Sequence, residues 1–173
     1  RNYDLIVIGG GAMGLAASLA AARQGHSVLC LEQFSIPHTL GSSHGHSRAI
    51  RMAYYEHPDY VPLLKRSYGL WREWEAKAGC QLLHMIGGLY MGTEQSEFVA
   101  GSRKAAIEHN LSHELLTRQQ IADRYPQFNL PDNYVAMFEE DAGYLLPELA
   151  IQTAARMARS AGADIHENEP ALS

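Results

Sequence analysis

The stretch Asp4-Leu-Ile-Val-Ile-Gly-Gly-Gly-Ala-Met-Gly14 decides the fold, because an apolar strand runs directly into a glycine-rich turn. The four residues after Asp4 are all apolar, which is typical of a strand covered on both faces in a parallel sheet. Gly9, Gly11 and Gly14 then match the G-x-G-x-x-G pattern, which allows a tight turn and a close approach of the backbone to a pyrophosphate.

The residues after the turn complete a β-α-β unit. Ala12 to Gln24 is rich in alanine and leucine and stops at Gly25, which predicts a helix with glycine just past its end. Ser27 to Glu32 is a second apolar run, and because it follows a crossover helix it is predicted to lie parallel to the first. Strand, glycine turn, helix and strand in this order are typical of a dinucleotide-binding domain.

Glu32 ends the second strand, where an acidic side chain accepts hydrogen bonds from the ribose diol of a bound dinucleotide. Its charge would repel a 2′-phosphate, which disfavours NADP. A pyrophosphate would rest on the helix N-terminus, where backbone N–H groups lack partners. NAD and FAD share the ADP half, so this unit leaves both open. The cofactor-binding residues predicted in this unit are Gly9, Gly10, Gly11, Ala12, Met13, Gly14, Glu32 and Gln33.

Downstream, the chain alternates between loop, helix and short strands. Gln33 to Ser47 contains proline, glycine, serine and histidine without a period, which predicts a long loop of the kind that often carries function. The pattern changes at Leu82, and two short apolar runs around Gly87-Gly88 predict a hairpin. The other predicted elements are helices over Asp59–Lys77, Glu94–Asn110, Thr117–Tyr125 (opened by a capping box) and Pro147–Ala161, and strands over Tyr134–Glu139 and Ala163–His166.

Composition and charge exclude several classes of protein. Apolar residues make up 46% and charged residues 19% of the 173, the balance of a globular protein, and the net charge of −5 argues against a nucleic-acid partner. The apolar stretch from Leu5 to Ala22 contains four glycines, so no membrane span is predicted. The start at Arg1 leaves no room for an export signal, and Cys30 and Cys80 form no motif, so we expect a cytoplasmic protein with free thiols.

A more specific motif follows in the loop. Gly41-Ser-Ser-His-Gly-His-Ser-Arg-Ala-Ile-Arg-Met-Ala-Tyr54 contains the element Ser-His-Gly-x-[Ser/Thr]-Arg-x-x-Arg, and Pro37-His-Thr-Leu precedes it. Together with Pro131–Tyr134 and Phe138–Glu148, this segment resembles the N-terminal half of the monomeric sarcosine oxidase and N-methyltryptophan oxidase family. The resemblance runs through nearly the whole chain, and it favours FAD over NAD.

The resemblance implies an α/β fold in which an FAD-binding Rossmann-like parallel sheet carries an inserted α+β substrate domain, incomplete in this chain. Residues 1–81 and 147–173 are expected to form the first part of the FAD-binding domain. Residues 82–146 are expected to form part of the substrate-binding domain. The change of pattern at Leu82 and the return to helix and strand after Pro147 agree with such an insertion.

His44, Arg48 and Arg51 match the active-site positions of the family. Arg51 is expected to hold a substrate carboxylate, since a planar guanidinium binds a carboxylate through two hydrogen bonds. Arg48 and His44 are expected beside the flavin ring, and Ser42 is expected to contact the cofactor. Without the resemblance, the same side chains would be interpreted as solvated loop residues.

One residue of the motif departs from the family. His46 stands where the family has aspartate, which exchanges a negative charge for an imidazole. A histidine pair without carboxylate or thiolate companions is poor support for zinc, so no metal site is predicted.

The resemblance implies oxidation of a secondary amino acid at its C–N bond, with O₂ reduced to H₂O₂. The cysteine of a covalent flavin link and the other substrate-facing residues of the family lie beyond Ser173, so the remainder of a longer polypeptide would be needed to complete the site. Three alternatives stay open. They are a related flavin amine oxidase for glycine, pipecolate or D-amino acids, a dehydrogenase that passes electrons to a carrier, and a non-catalytic FAD-binding subunit.

Overall fold

The computed structural model describes residues 2–172, so Arg1 and Ser173, the outermost residues of the predicted FAD-binding segments, lie outside it. Within that range the chain forms, in order, β1 (Leu5–Ile8), α1 (Ala12–Arg23), β2 (Val28–Leu31), β3 (Arg48–Ile50), α2 (Tyr60–Ala78), β4 (Leu83–Met85), β5 (Gly88–Thr93), α3 (Glu97–Glu108), β6 (His113–Thr117), α4 (Arg118–Arg124), β7 (Tyr134–Glu139), β8 (Gly143–Leu145), α5 (Pro147–Ser160) and β9 (Asp164–His166). The chain divides into two compact units. Unit 1 comprises Arg1–Arg48, Glu73–Leu82 and Leu145–Ser173, and unit 2 comprises Ala49–Arg72 and Leu83–Tyr144.

Unit 1 is built on a parallel sheet with the strand order β1-β2-β9. Leu5 pairs with Val28, and Leu29 pairs with Asp164, which confirms the predicted β-α-β unit and the later strand of the same sheet. Helices α1 and α5 pack against each other. Most of their buried side chains are small or aliphatic, which allows close helix packing. These are Leu15, Leu19, Ala22, Ala150, Ile151, Ala154, Ala155 and Ala158.

Strand β1 differs from the expectation of a strand covered on both faces. Val7 points towards α1, with its Cγ1 atom 3.2 Å from the place where a Cβ on Gly14 would lie. Ile6 and Ile8 point to the opposite face and are 57% and 73% exposed. Within the described residues, therefore, only one face of β1 is covered, because no helix packs on the Ile6 and Ile8 side.

Unit 2 contains an antiparallel sheet with the order β5-β7-β6, and each face of this sheet carries one helix. Side chains alternate between the faces of a strand, so neighbouring residues of β7 enter different clusters. Met137 packs in a cluster with Ala105 and Ala106 of α3. Ala136 packs in another with Ile121 of α4.

The predicted hairpin at Gly87-Gly88 is wrong. Strand β4 joins a sheet with the order β3-β8-β4, whereas β5 pairs with β7 in the other sheet. Gly87 adopts a φ of 79° and donates its N–H to the carbonyl of Ala142 at 2.9 Å. The two glycines therefore carry the chain from one sheet to the other. The local sequence pattern of such a connection is the same as that of a hairpin turn.

The predicted helices are present, and their ends are set by caps. Helix α3 begins at Glu97 rather than Glu94, because the Ser96 hydroxyl accepts the N–H of Val99 as an N-cap. Helix α4 has the predicted capping box between Thr117 and Gln120. Strands β3, β6 and β8 were not predicted.

The expected domain boundaries lie close to the limits of the two units, with one difference. Residues 49–72 group with unit 2. The reason is packing, since Ala53 and Val61 are fully buried in one cluster with Ala105 and Met137. The assignment of one unit to the cofactor and the other to the substrate stays a prediction.

Candidate functional site

The glycine-rich turn joins β1 to α1 without room for side chains. Gly9 has a φ of 102°, which glycine adopts without strain. A Cβ on Gly14 would lie 1.9 Å from the carbonyl oxygen of Gly9, so helix and turn are in contact. Gly11 is the N-cap and provides no side-chain acceptor. The helix N-terminus is therefore capped from elsewhere or by a ligand.

Glu32 is a buried carboxylate, 5% exposed, that joins the turns after β1 and β2. Its Oε2 atom accepts the N–H of Gly10 at 2.6 Å, and its Oε1 atom accepts the N–H of Phe34 at 3.0 Å. The Nε2 atom of His38 lies 3.3 Å from Oε1. A carboxylate has about four acceptor positions, so Glu32 keeps capacity for a further donor such as a ribose hydroxyl.

A cavity of about 250 Å³ opens in unit 1 beside Glu32 and the glycine-rich turn, at the carboxyl ends of the parallel strands. This edge is where open parallel sheets bind nucleotides. The cavity brings together five residues that the sequence predicts to bind the cofactor. It is lined by Gly10, Gly11, Glu32, Gln33, Pro37, His38, Leu40, Gly41, Ser42, Ser43 and Ile151.

The other predicted cofactor-binding residues sit around the turn and do not line this cavity. Gly9 directly follows β1, Gly14 packs against Gly9 and Val7, and Ala12 and Met13 begin α1. The Met13 side chain is 85% exposed, so it is not part of the core of unit 1.

Arg48 and His44 hold the Gly41-Ser42 corner of the cavity wall. Arg48 donates from Nε and Nη2 to the carbonyl of Ser42, at 3.3 and 3.1 Å. The Nδ1 atom of His44 lies 2.5 Å from the carbonyl oxygen of Gly41. His46 is exposed. Both predicted active-site residues of unit 1 thus contact the loop backbone that lines the cavity.

The loop is also fixed to the end of the parallel sheet. The Ile36 N–H donates to Glu167 Oε2 at 2.7 Å, and Arg159 donates to Oε1 of the same carboxylate at 2.7 Å. The backbone N–H of Ile36, followed by Arg159, holds the pKa of Glu167 below its usual value. This tether supports the segment that carries Pro37 and His38.

Arg51 belongs to unit 2, where aromatic rings surround its guanidinium. The guanidinium carbon lies 4.8, 5.9 and 6.0 Å from the ring centroids of Tyr54, Tyr55 and Phe98. Its Nη2 atom lies 3.7 Å from Glu56 Oε1. Its Nε atom is buried and has no hydrogen-bond partner among residues 2–172. Buried donors are normally paired, so this unpaired Nε makes Arg51 a candidate binding residue.

Arg51 opens onto a cavity of about 240 Å³ within unit 2. Most of the lining is apolar or glycine, and the guanidinium is its positive charge. The lining residues are Ala49, Ile50, Arg51, Gly88, Leu89, Tyr90, Phe98, Ala142 and Gly143.

Three polar residues of the unit 1 site were missed by the sequence predictions. Ser43 accepts the Ala12 N–H at 3.2 Å, so it caps α1 from the loop. His38, to which the sequence predictions assign no role in binding, contacts Glu32. Glu148 accepts the Gly45 N–H at 3.1 Å and so holds the loop from α5. Ser43 lies inside the motif, His38 lies in the segment that precedes it, and Glu148 ends the Phe138–Glu148 segment. None of the three has a local pattern that predicts its contact.

In the described part of the chain, no group of three or more His, Cys, Asp or Glu side chains is arranged to hold a metal ion. Of the helices between residues 2 and 172, none has both the length and the apolar character needed to cross a bilayer.

Comparison with known proteins agrees with this architecture. The chain is 42% identical over 169 residues to a monomeric sarcosine oxidase of Streptomyces avermitilis, which covers 98% of this chain and 44% of that protein. It is 40% identical over 169 residues to an N-methyl-L-tryptophan oxidase of Yersinia pestis, covering 98% of this chain and 46% of that protein. The chain thus spans less than half the length of the curated relatives it matches.

Solved structures show the same fold. NikD, described as an unusual amino acid oxidase essential for nikkomycin biosynthesis, superposes in its open form with a TM-score of 0.83 at 28% identity, over 97% of this chain and 44% of its own. An L-proline dehydrogenase from P. horikoshii shares the fold, with a TM-score of 0.80 at 22% identity, over 97% of this chain and 44% of its own. Residues 4–173 match the family model described as FAD dependent oxidoreductase. The chain therefore belongs to the FAD dependent oxidoreductase family, which includes amine and amino acid oxidases.

Proposed function

We propose that the protein containing this chain oxidises a secondary amino acid, sarcosine or another N-methyl amino acid, to an imine. Dioxygen accepts the electrons and becomes hydrogen peroxide, and water then hydrolyses the imine. The observation that carries this proposal is Arg51, whose buried Nε lacks a partner within residues 2–172 and which lines a cavity made mostly of apolar residues and glycine. Such a cavity suits a small molecule with one carboxylate and an apolar or N-methyl group.

The residues of unit 1 fit the ADP part of FAD. The glycine-rich turn leaves space for a pyrophosphate at the start of α1, and Glu32 keeps acceptor capacity towards a ribose diol. Gly10, Gly11, Glu32, Gln33 and Ser42 line one cavity and would hold this part. When bound, the flavin supplies the redox chemistry. Where the family links its flavin covalently, the cysteine would come from outside this chain.

Arg51 would bind and orient the substrate through its carboxylate. The surrounding aromatic rings restrict the guanidinium and shield part of it from water, which strengthens a charge-assisted hydrogen bond. The substrate would bind as the neutral amine, because only the free nitrogen lone pair allows oxidation of the C–N bond. Arg48 is proposed to place positive charge near the flavin ring, and the His44 imidazole is proposed to line the same ring.

Substitution of Arg51 tests its proposed role as the clamp that holds the substrate carboxylate. We expect Arg51→Ala to raise the KM for carboxylate substrates about a hundredfold, because a buried charge-assisted pair is lost. Arg51→Lys keeps the charge without the planar fork and should give a smaller increase. Steady-state kinetics with sarcosine, compared with an N-methyl amine that lacks a carboxylate, give the measurement. An unchanged KM in Arg51→Ala would contradict the assignment.

The reaction itself is tested on the longer protein that contains this chain. Purified protein should be yellow, and anaerobic sarcosine, N-methyl amino acids, pipecolate, glycine or D-amino acids should be screened for bleaching of the flavin. Peroxide formed in air would identify an oxidase, whereas bleaching that only an added electron carrier reverses would identify a dehydrogenase. A yellow protein that no amine bleaches would support a non-catalytic subunit.

We also propose that the protein is cytoplasmic. Cys30 and Cys80 are free thiols in the structure, and free thiols persist in a reducing compartment.

A further inference from the structure

Glu139 is a fully buried carboxylate in unit 2 that the reaction proposed above does not use. Its Oε1 atom accepts the Met52 N–H at 2.8 Å, and the Ala53 N–H lies 3.2 Å from Oε2 and 3.3 Å from Oε1. The Tyr90 hydroxyl donates to Oε2. A buried carboxylate is costly unless it is fully hydrogen-bonded, so these three donors account for its presence.

The register of the sheet explains how Tyr90 reaches this carboxylate. In the β5–β7 pair, Gly88 lies opposite Glu139 and Tyr90 lies opposite Met137, so Tyr90 and Glu139 are diagonal neighbours on one face. Gly88 leaves the directly opposed position without a side chain, and a Cβ there would lie 2.7 Å from that of Ala142. The phenol therefore extends across the vacant position to the carboxylate.

The Tyr90 hydroxyl is protonated and acts as the donor in its hydrogen bond to Glu139. Burial, followed by the adjacent Glu139 charge, raises the pKa of Tyr90 well above its usual value. The phenol therefore stays protonated at neutral pH and acts as a donor. Its ring packs on Phe98, with 5.3 Å between centroids.

These contacts converge on Arg51 by two routes. Glu139 binds the N–H groups of Met52 and Ala53, the two residues that directly follow Arg51 in the chain. Tyr90 supports Phe98, whose ring lies 6.0 Å from the Arg51 guanidinium carbon. Arg51, Tyr90 and Phe98 also line the same cavity. The buried Tyr90–Glu139 pair thus restrains both the backbone and the side chain of Arg51.

We infer that the Tyr90–Glu139 pair positions Arg51 for binding a carboxylate. The inference rests on the proposed role of Arg51 and adds two positioning residues to it. Tyr90 and Glu139 do not contact the carboxylate themselves; they hold the backbone and the aromatic surface that fix the direction of the guanidinium.

The test measures binding without turnover, so it does not depend on which amine is oxidised. Acetate and its neutral analogue acetamide are titrated into the full-length protein by ligand-observed NMR. We expect Tyr90→Phe, which keeps the ring and removes the donor, to raise the Kd of acetate about tenfold, since the hydrogen bond lost is to a charged group. The Kd of acetamide should change less than about twofold, because a neutral ligand gains little from the guanidinium.

Tyr68→Phe is the matched control. Its hydroxyl is also buried and donates at 2.7 Å, to the carbonyl of Asp141 rather than to Glu139. We expect Tyr68→Phe to leave both Kd values unchanged. Equal effects of Tyr90→Phe and Tyr68→Phe, or an equal change for acetate and acetamide, would overturn the inference.

Arg51→Lys separates failure of the inference from failure of the clamp. If Arg51→Lys weakens acetate binding and Tyr90→Phe does not, the clamp stands and the positioning role is wrong. If Arg51→Ala has no effect on the Kd of acetate, both are wrong. If acetate responds as expected and no amine is oxidised, the positioning role stands and the proposed reaction fails.

Discussion

Gly14 leaves no room for a side chain, because an added Cβ would lie 1.9 Å from the backbone oxygen of Gly9 and 3.2 Å from Val7 Cγ1. We expect Gly14→Ala to push α1 away from the strand and to destabilise the protein by about 1–3 kcal/mol, as overpacking does. The flavin-to-protein absorbance ratio should fall with it, since the same turn is proposed to hold the pyrophosphate. Urea unfolding midpoints and absorbance spectra of purified protein give the measurement.

Gly69 offers the matched control for this substitution. It lies inside α2, and no atom lies within 4 Å of an added Cβ. Gly69→Ala should therefore stabilise the protein by about 0.5–1 kcal/mol, the usual gain when alanine replaces glycine in a helix. Its flavin content should not change. Similar losses in the two variants would show that the close contact at Gly14 has no special cost.

Single residues differ in how far the sequence alone could assign them. Gly9 and Glu32 are set by the local order of strand, turn and helix, so their positions followed from the pattern. Ser43 accepts a hydrogen bond from Ala12, 31 residues away in the sequence, and Glu148 accepts one from Gly45, 103 residues away. Such contacts depend on how distant elements pack, which no local spacing encodes.

The capping box of α4 is the sharpest prediction at the scale of elements. Thr117 accepts the Gln120 N–H at 3.3 Å, and the Gln120 side chain accepts the Thr117 N–H at 2.8 Å. We expect Thr117→Ala to cost about 1 kcal/mol of stability, the usual cost of losing an N-cap. Thr117→Ser keeps the hydroxyl and should cost far less. Equal urea midpoints for Thr117→Ala and Thr117→Ser would contradict the claim that the Thr117 hydroxyl stabilises α4.

Elements were predictable where their own residues decide the conformation. The alanine-rich α1, the cap of α4 and the apolar β7 each carry a local signal, and each is present. Strands β3 and β8 have only three residues apiece and become strands through pairing with each other. The change of sheet at Gly87 has the same origin, because the alternative partner, at Ala142, lies 55 positions away in the chain.

At the scale of the whole molecule, β1 is the element that the described residues leave incomplete. It is the terminal strand in the order β1-β2-β9, so its outer edge has no strand partner within residues 2–172. Ile6 and Ile8 on its open face are 57% and 73% exposed. A parallel strand of this composition is normally covered on both faces. The relatives have more than twice the length matched here, which supplies material for such a cover.

We expect residues 1–173 expressed alone to bind the dye ANS and to self-associate, because an apolar face and a strand edge are open together. The weight-average sedimentation coefficient and the ANS fluorescence should both decrease in the double variant Ile6→Thr, Ile8→Thr. Ile107→Thr is the control, since Ile107 is 59% exposed on α3 and is not on a sheet face. A chain extended to the length of the relatives should bind little ANS and respond weakly to the same double variant. If the extended chain binds as much ANS per molecule as the short one, the Ile6 and Ile8 face is not covered by the added residues.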